Sequence, residues 1–169
     1  MKLQRTELRI VHDLKPTPIP DGFALIQDTR EQRGLFDTYP GLTVINKALK
    51  DGDYSIKGFE DAIAIERKQM SDFYGYIGKE RDRTKLKLNR FRDIISRGGF
   101  CALVIEADER DILAGNPMSR VSPEVARGFL VSLNTRYGIH AYYSRDREAI
   151  KRWILERMVK FYNIKREVR

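Results

Sequence analysis

Two carboxylates and a lysine in the first half of the sequence have the chemical types needed to work with a divalent cation. Asp53 begins one strand-like segment, and Glu66 and Lys68 end another. Side chains alternate along a strand, so Glu66 and Lys68 are expected on one face and Arg67 on the other. Mg²⁺ prefers oxygen ligands, and one or two carboxylates suffice because it keeps several waters. Asp53 and Glu66 are therefore predicted to hold Mg²⁺ or Mn²⁺ beside Lys68.

Two more acids extend this pattern. Asp28 and Glu31 follow the apolar segment that ends at Gln27, and they are predicted as further metal ligands, directly or through water. An Asp…Glu-x-Lys arrangement is typical of metal-dependent nucleases. There, a bound cation lowers the pKa of water and polarises a phosphoryl oxygen. We assign catalytic roles to Asp53, Glu66 and Lys68, the lysine orienting the water or offsetting negative charge.

The alternative interpretation is a solvated strand end that carries surface ion pairs. Two features favour a site. The charged triplet follows the apolar segment 62–65, and Asp28 ends a second apolar segment. Acids at the ends of two buried strands are more typical of a site than of an ordinary surface.

Composition limits the class of protein. The chain has 169 residues, with 32 Lys and Arg against 24 Asp and Glu, a net charge of +8. One domain is expected, and the positive charge favours a polyanionic partner. A single cysteine, Cys101, excludes an internal disulfide framework and a cysteine-rich zinc site. Without an apolar run long enough for a membrane span, or a secretory signal, we expect an intracellular protein of the cytoplasm or nucleoid, or of a eukaryotic nucleus.

Alternating strand and helix patterns predict an α/β fold, with a central mixed or mostly parallel sheet flanked by helices. Ser71 is expected to cap a helix, residues 107–121 to form a loop, and Ser122 and Pro123 to open a later helix that ends at Gly138. The predicted organisation is an N-terminal arm over 1–22 with a short strand at 7–12, a domain over 23–162, and a basic tail over 163–169.

Several motifs together resemble the XPF-type structure-specific endonucleases, which include the Hef nuclease. Gly52-Asp53, Glu66-Arg67-Lys68 and Asp72 are similar to the GD…ERKxxxD signature of this family. The resemblance continues, in the family's order, through the segments 28–31, 104–106, 127–130 and 144–146. It covers roughly residues 23–162.

The resemblance implies a restriction-endonuclease-like core that uses Mg²⁺ or Mn²⁺ to cut DNA at branches, flaps or junctions in repair or recombination. By position, it implies metal ligation by Asp28, Asp53 and Glu66, with Glu31 nearby, and Lys68 as the catalytic lysine. It also implies that Arg67 and Asp72 support the site as an ion pair. Phosphate contacts are implied for Arg30 and for Arg81 or Arg83.

A basic segment follows the signature. Residues 79–97 contain eight basic side chains, including Lys85, against three acidic ones. We predict that this segment binds DNA phosphates without base specificity, the alternative being a solvated helix face. Phe73, Tyr74 and Tyr76, just before it, are candidates for stacking on an unpaired base, or for core packing.

The resemblance also bears on partners. It implies a homodimer contact near the terminal helix, where an apolar patch could comprise Trp153, Met158, Phe161 and Tyr162; simple burial is the alternative. Family members usually carry a helix-hairpin-helix module after the nuclease core, so a separate DNA-binding partner is an open expectation. The rival function is a catalytically inactive DNA-binding module on the same fold, and an RNA substrate also stays open.

Overall fold

The protein is built around one six-stranded sheet. The structure is a computed structural model and describes residues 15–31 and 33–168. The strand predicted at 7–12 lies outside these residues. The strands are β1 (Leu25–Gln27), β2 (Val44–Asn46), β3 (Tyr54–Ile56), β4 (Ile63–Gln69), β5 (Phe100–Glu106) and β6 (His140–Tyr143). The helices are α1 (Met70–Ile77), α2 (Arg81–Ser96), α3 (Glu109–Ala114), α4 (Pro123–Tyr137) and α5 (Arg147–Glu167).

The sheet is mixed, as the sequence predicts. Its strand order is β2-β1-β3-β4-β5-β6. β1 pairs with β2 in parallel, β3 is antiparallel to both β1 and β4, and β4, β5 and β6 are parallel. This arrangement brings the end of β1, the start of β3 and the end of β4 to neighbouring positions, which is where the candidate site residues lie.

Alternate residues of β4 enter two separate hydrophobic cores. Ala64 packs into the core under α1, α2 and α4, whereas Ile63 and Ile65 pack into the core under α5. β5 divides in the same way, because side chains alternate along a strand. Helices therefore cover both faces of the central strands.

Capping residues at both ends define the boundaries of α4. The Ser122 side chain accepts a hydrogen bond from the Val125 N–H, Pro123 is the first helical residue, and Gly138 ends the helix in the left-handed conformation. These three features confirm the predicted boundaries. Each is a short-range device that satisfies or avoids an unpaired backbone group.

Three expectations about other elements are wrong or incomplete. Gln69, not Ser71, is the N-cap residue of α1, because β4 runs directly into the helix. The predicted loop over 107–121 contains α3, whose first turn is closed by the Asp111 carboxylate accepting the Asp108 N–H at 3.1 Å. α5 continues to Glu167, so most of the predicted basic tail is helical.

Several aromatic and apolar residues that were candidates for binding surfaces are buried in the protein. Phe73 and Tyr74 lie in the core, so the prediction that they stack on a base is wrong. Met158 and Tyr162 are buried against the sheet and do not extend an exposed patch. None of the helices in the described part of the chain is long and apolar enough to cross a membrane.

Candidate functional site

A tight turn before β3 places Asp53 against β4. Gly52 has a φ of 78°, and a Cβ at this position would lie 3.1 Å from the backbone N and O of Ile65. Only glycine fits both the positive φ and this close approach. The Asp53 N–H then donates to the Ile65 carbonyl at 2.8 Å, and Oδ2 of Asp53 accepts the Arg67 N–H at 2.7 Å. The Asp53 carboxylate is thus attached to the Glu66-Arg67-Lys68 segment.

Glu66 is a buried carboxylate with two lysine partners. Its side chain is 1% exposed, and its Oε1 lies 2.7 Å from Nζ of both Lys68 and Lys87. The two ammonium groups also lie over the Tyr76 ring, at 5.2 and 5.9 Å from its centroid. Oε2 of Glu66 is buried, and no residue in the described part of the chain forms a hydrogen bond with it. A buried carboxylate oxygen with no partner is costly, and a cation would satisfy it.

The pKa values of the two carboxyl groups are shifted in opposite directions. Burial raises the pKa of Asp53 to about 7, and the negative charge of Glu66 adds to this increase. Burial also acts to raise the pKa of Glu66, but the charges of Lys68 and Lys87 outweigh it and hold that pKa below its usual range. Two acids that disfavour each other's charge have a reason to share a cation.

Arg67 lies on the other face of β4, as strand alternation predicts, and joins two acids. Its Nη2 lies 2.7 Å from Oε2 of Glu31, and its Nη1 lies 2.6 Å from Oε1 of Glu106. Tyr54 also donates its hydroxyl to Oε2 of Glu31, at 3.1 Å. The expected ion pair between Arg67 and Asp72 is wrong, because Glu31 and Glu106 occupy the guanidinium.

Asp28 is held by its own set of donors. Nε and Nη2 of Arg30 donate to its two carboxylate oxygens at 2.6 and 2.9 Å, and the Leu49 N–H donates to Oδ2 at 2.6 Å. Burial opposes ionisation, but these hydrogen bonds outweigh it and lower the pKa of Asp28 to about 2. Both oxygens are engaged by these donors, which connect the loop after β1 to Leu49.

An open polar cleft of about 400 Å³ lies at this edge of the sheet. Its charged lining residues are Arg30, Glu31, Arg33, Arg67, Lys68 and Asp72. Four positive side chains and two negative ones face this space, a balance that suits a phosphate group. Five of the predicted site residues line this cleft, namely Arg30, Glu31, Arg67, Lys68 and Asp72. Asp53 and Glu66 lie beside it, since Oδ2 of Asp53 accepts the Arg67 N–H and Oε1 of Glu66 contacts Lys68.

The donor set fits a divalent cation at Asp53 and Glu66, although not at all four predicted ligands. In residues 15–31 and 33–168, no group of three or more His, Cys, Asp or Glu side chains is arranged to hold a metal ion. Asp28 and Glu31 are held by arginines. The groups that remain as possible cation ligands are Oε2 of Glu66 and the adjacent Asp53 carboxylate. Two carboxylates are enough for Mg²⁺.

The predicted DNA-binding residues lie at two places. Arg30 is 66% exposed but is bound to Asp28. Arg81, Arg83 and Lys85 lie exposed on the first turns of α2, where Arg81 and Lys85 line a second cleft, between α2 and α4. Their contact with DNA stays a prediction.

Sequence reasoning missed two residues of the site. Lys87 lies three residues after the buried Thr84 and four before the buried Phe91, a spacing that places it near the inner face of α2. Glu106 ends the buried strand β5, as Asp28 follows β1. The rule that singled out Asp28, an acid at the end of a buried strand, would have found Glu106 as well.

These features define a mixed α/β domain with an acidic pair, a lysine and an open polar cleft at one sheet edge. The family model of the ERCC4 domain matches residues 27–156, and the chain belongs to the ERCC4 domain family. Among solved structures, it is similar to XPF from Aeropyrum pernix, with 22% identity, a TM-score of 0.60, and coverage of 81% of this chain and 60% of that one.

A second solved structure is XPF from Aeropyrum pernix in complex with DNA. The match has 20% identity and a TM-score of 0.58, and it covers 84% of this chain and 66% of that one. The chain thus spans about two thirds or less of the XPF chains it matches. No curated protein matches the sequence. The structural similarity identifies the restriction-endonuclease-like fold of an XPF-type nuclease domain, as the sequence motifs predict.

Proposed function

We propose that the protein is a metal-dependent endonuclease that hydrolyses phosphodiester bonds of branched, flap or junction DNA in repair or recombination. The observation that carries the proposal is the buried Glu66 carboxylate, with one oxygen between two lysines and the other without a partner beside Asp53. Membership of the ERCC4 domain family and the basic lining of the polar cleft support it.

In this proposal, Asp53 and Glu66 would hold Mg²⁺ or Mn²⁺. A bound ion would lower the pKa of the attacking water and polarise the phosphoryl oxygen. Lys68 lies in the polar cleft, where its ammonium group can orient the water or donate to a phosphate oxygen. Arg67 keeps the strand end rigid through Glu31 and Glu106, and the exposed Asp72 contributes negative charge beside Lys68.

One observation favours the rival function, a catalytically inactive DNA-binding module. Asp28 and Glu31, which the sequence resemblance implies as ligands or near-ligands, are neutralised by Arg30 and Arg67. A site reduced to two carboxylates binds a cation more weakly than one with four. A protein with this rival function would still bind DNA through its basic clefts but would not cleave it.

The proposed partners are DNA and a second copy of the chain. Trp153 and Phe161 on α5 remain half-buried, and Trp153 stacks on Tyr142 with ring centroids 4.8 Å apart. The surface formed by Trp153, Phe161 and Tyr142 is our candidate for the homodimer contact. Sedimentation at micromolar concentration should give twice the 19.7 kDa monomer mass; a monomer mass contradicts this part of the proposal.

Cleavage assays separate the two functions. Flap, splayed-arm, duplex and single-stranded oligonucleotides, with an RNA copy of the best substrate, are incubated with Mg²⁺, with Mn²⁺ or with EDTA. The proposal predicts products that require metal and disappear in Asp53→Asn and Glu66→Gln, while DNA binding persists. The control variant is Glu156→Gln, an exposed acid on α5. Binding to these substrates without any metal-dependent product contradicts the proposal.

A further inference from the structure

The cleft between α2 and α4 is distinct from the polar cleft at the ends of β1 and β4. Its volume is about 290 Å³, and its charged lining residues are Arg81, Lys85 and Arg136. Among residues 15–31 and 33–168, no acidic side chain lines it. Three positive charges without a neutralising acid favour an anionic ligand, and the backbone phosphates of a nucleic acid are such a ligand.

Aromatic side chains form part of the wall of this cleft. Phe129 is half-buried and packs edge-on against Phe73 and Tyr76, with ring centroids 5.8 and 6.2 Å apart. Tyr137 and Leu88 line the same space. An apolar, aromatic wall next to cations is the combination that binds unpaired bases, because every base has a flat face that can stack.

Tyr76 connects this cleft to the candidate active site. It lines the cleft and is 4% exposed. The same ring lies under the ammonium groups of Lys68 and Lys87. A ligand in the cleft would therefore be separated by the Tyr76 ring from the two lysines that hold Glu66.

We propose that the cleft between α2 and α4 binds one unpaired nucleotide of a single-stranded DNA arm, close to the bond that is cut. Its base packs on Phe129, and the adjoining phosphates contact Arg81, Lys85 and Arg136. The volume of about 290 Å³ is enough for one base with its sugar. An acidic peptide could pair with the cations, but it would leave the aromatic wall unused. This inference rests on the proposed function, since it takes DNA as the substrate.

The test is an abasic scan of the wild-type protein. Fluorescence anisotropy in EDTA measures the affinity for a flap substrate in which a single abasic residue is moved along the single-stranded arm. We expect a five- to tenfold loss of affinity at one or two positions near the junction, and less than twofold elsewhere. Equal affinity at every abasic position overturns the inference.

Two variants test the residues. Phe129→Leu keeps an apolar side chain against Phe73 and Tyr76, and Arg136→Gln removes one charge. Both should weaken binding of the flap several-fold, remove the position dependence of the abasic scan, and change blunt-duplex affinity less than twofold. Lys160→Gln, exposed on α5 across the sheet, is the control. Equal weakening of flap and duplex contradicts a site for an unpaired base.

Two further measurements separate this inference from its rivals. Competition by polyglutamate as strong as that by single-stranded DNA would indicate an acidic peptide and overturn the inference. Cleavage with Mn²⁺ is measured separately. If no product forms but affinity still depends on the position of the abasic residue, only the proposed function is contradicted. Metal-dependent products with a flat abasic scan contradict only the nucleotide site.

Discussion

Nζ of Lys87 lies 2.7 Å from Oε1 of Glu66, although Lys87 belongs to α2 and Glu66 to the middle of β4. Together with Lys68, it gives a buried carboxylate two positive partners. The pairing keeps Glu66 ionised inside the protein, which is the form that a cation requires.

Lys87→Met should lower the free energy of unfolding at pH 7 by about 1–3 kcal/mol, because Glu66 loses one charged hydrogen bond in a buried position. Lys87→Arg should retain most of the wild-type free energy of unfolding, because arginine keeps a positive charge beside Glu66. Chemical denaturation of both variants measures the effect, with Lys160→Met as the exposed control. If Mn²⁺ binds Glu66, adding it should restore part of the lost stability. Unchanged stability in Lys87→Met contradicts the pairing.

Arg67→Met should be among the most destabilising substitutions at the site. Arg67 is 7% exposed and bridges Glu31 and Glu106. Its removal takes the guanidinium from Glu31 and leaves Glu106 with the more exposed Arg147, 3.2 Å away. Breaking a buried ion pair in this way costs about 3–5 kcal/mol. Arg67→Lys should also lose stability, since one ammonium cannot reproduce the fork geometry of a guanidinium.

A double-mutant cycle checks this network. Glu31→Gln and Arg67→Met, alone and together, should be strongly non-additive, because the first removes the charge that the second leaves unpaired. Additive losses of stability would mean that the two side chains do not interact in solution.

Asp28 predicts a specific dependence of stability on pH. Its pKa in the folded protein is about 2, below the ordinary 3.8, so its ionised form stabilises the fold. This contribution is present above pH 3.8 and is lost as the pH falls towards 2, and the shift corresponds to about 2 kcal/mol. The stability difference between wild type and Asp28→Asn should therefore shrink by about that amount between pH 5 and pH 2. A difference that does not vary with pH contradicts the assignment.

The exposed cations on α2 predict the salt dependence of DNA binding. If Arg81 and Lys85 each contact a phosphate of the single-stranded arm, the double substitution Arg81→Gln with Lys85→Gln should reduce the slope of log affinity against log salt by about 1.4 for the flap substrate. Anisotropy titrations between low and moderate salt measure the slope. Lys160→Gln should leave it unchanged, and an unchanged slope in the double variant would place the DNA elsewhere.

The local part of the site could be predicted from the sequence. Strand alternation correctly places Glu66 and Lys68 on one face and Arg67 on the other, because the period of a strand is fixed by its backbone. The apolar segments before Asp28 and Glu66 likewise identify the strands that position them. These inferences need only neighbouring residues.

Partners that come from distant elements could not be predicted in the same way. The docking of α2 on the sheet decides that Lys87 contacts Glu66, and the adjacency of β4 and β5 decides that Arg67 contacts Glu106 instead of Asp72. The six-residue α3 was missed because its capping acids, Asp108 and Asp111, also suit a loop. Tertiary packing, not local propensity, determines these contacts.

Anomalous diffraction from Mn²⁺-soaked crystals would locate the cation. A peak bound by the carboxylates of Asp53 and Glu66 is expected, and no such peak is expected in crystals of the Glu66→Gln variant. A Mn²⁺ ion that avoids both carboxylates, or no bound ion at all while Lys68 and Lys87 stay on Glu66, would contradict the account.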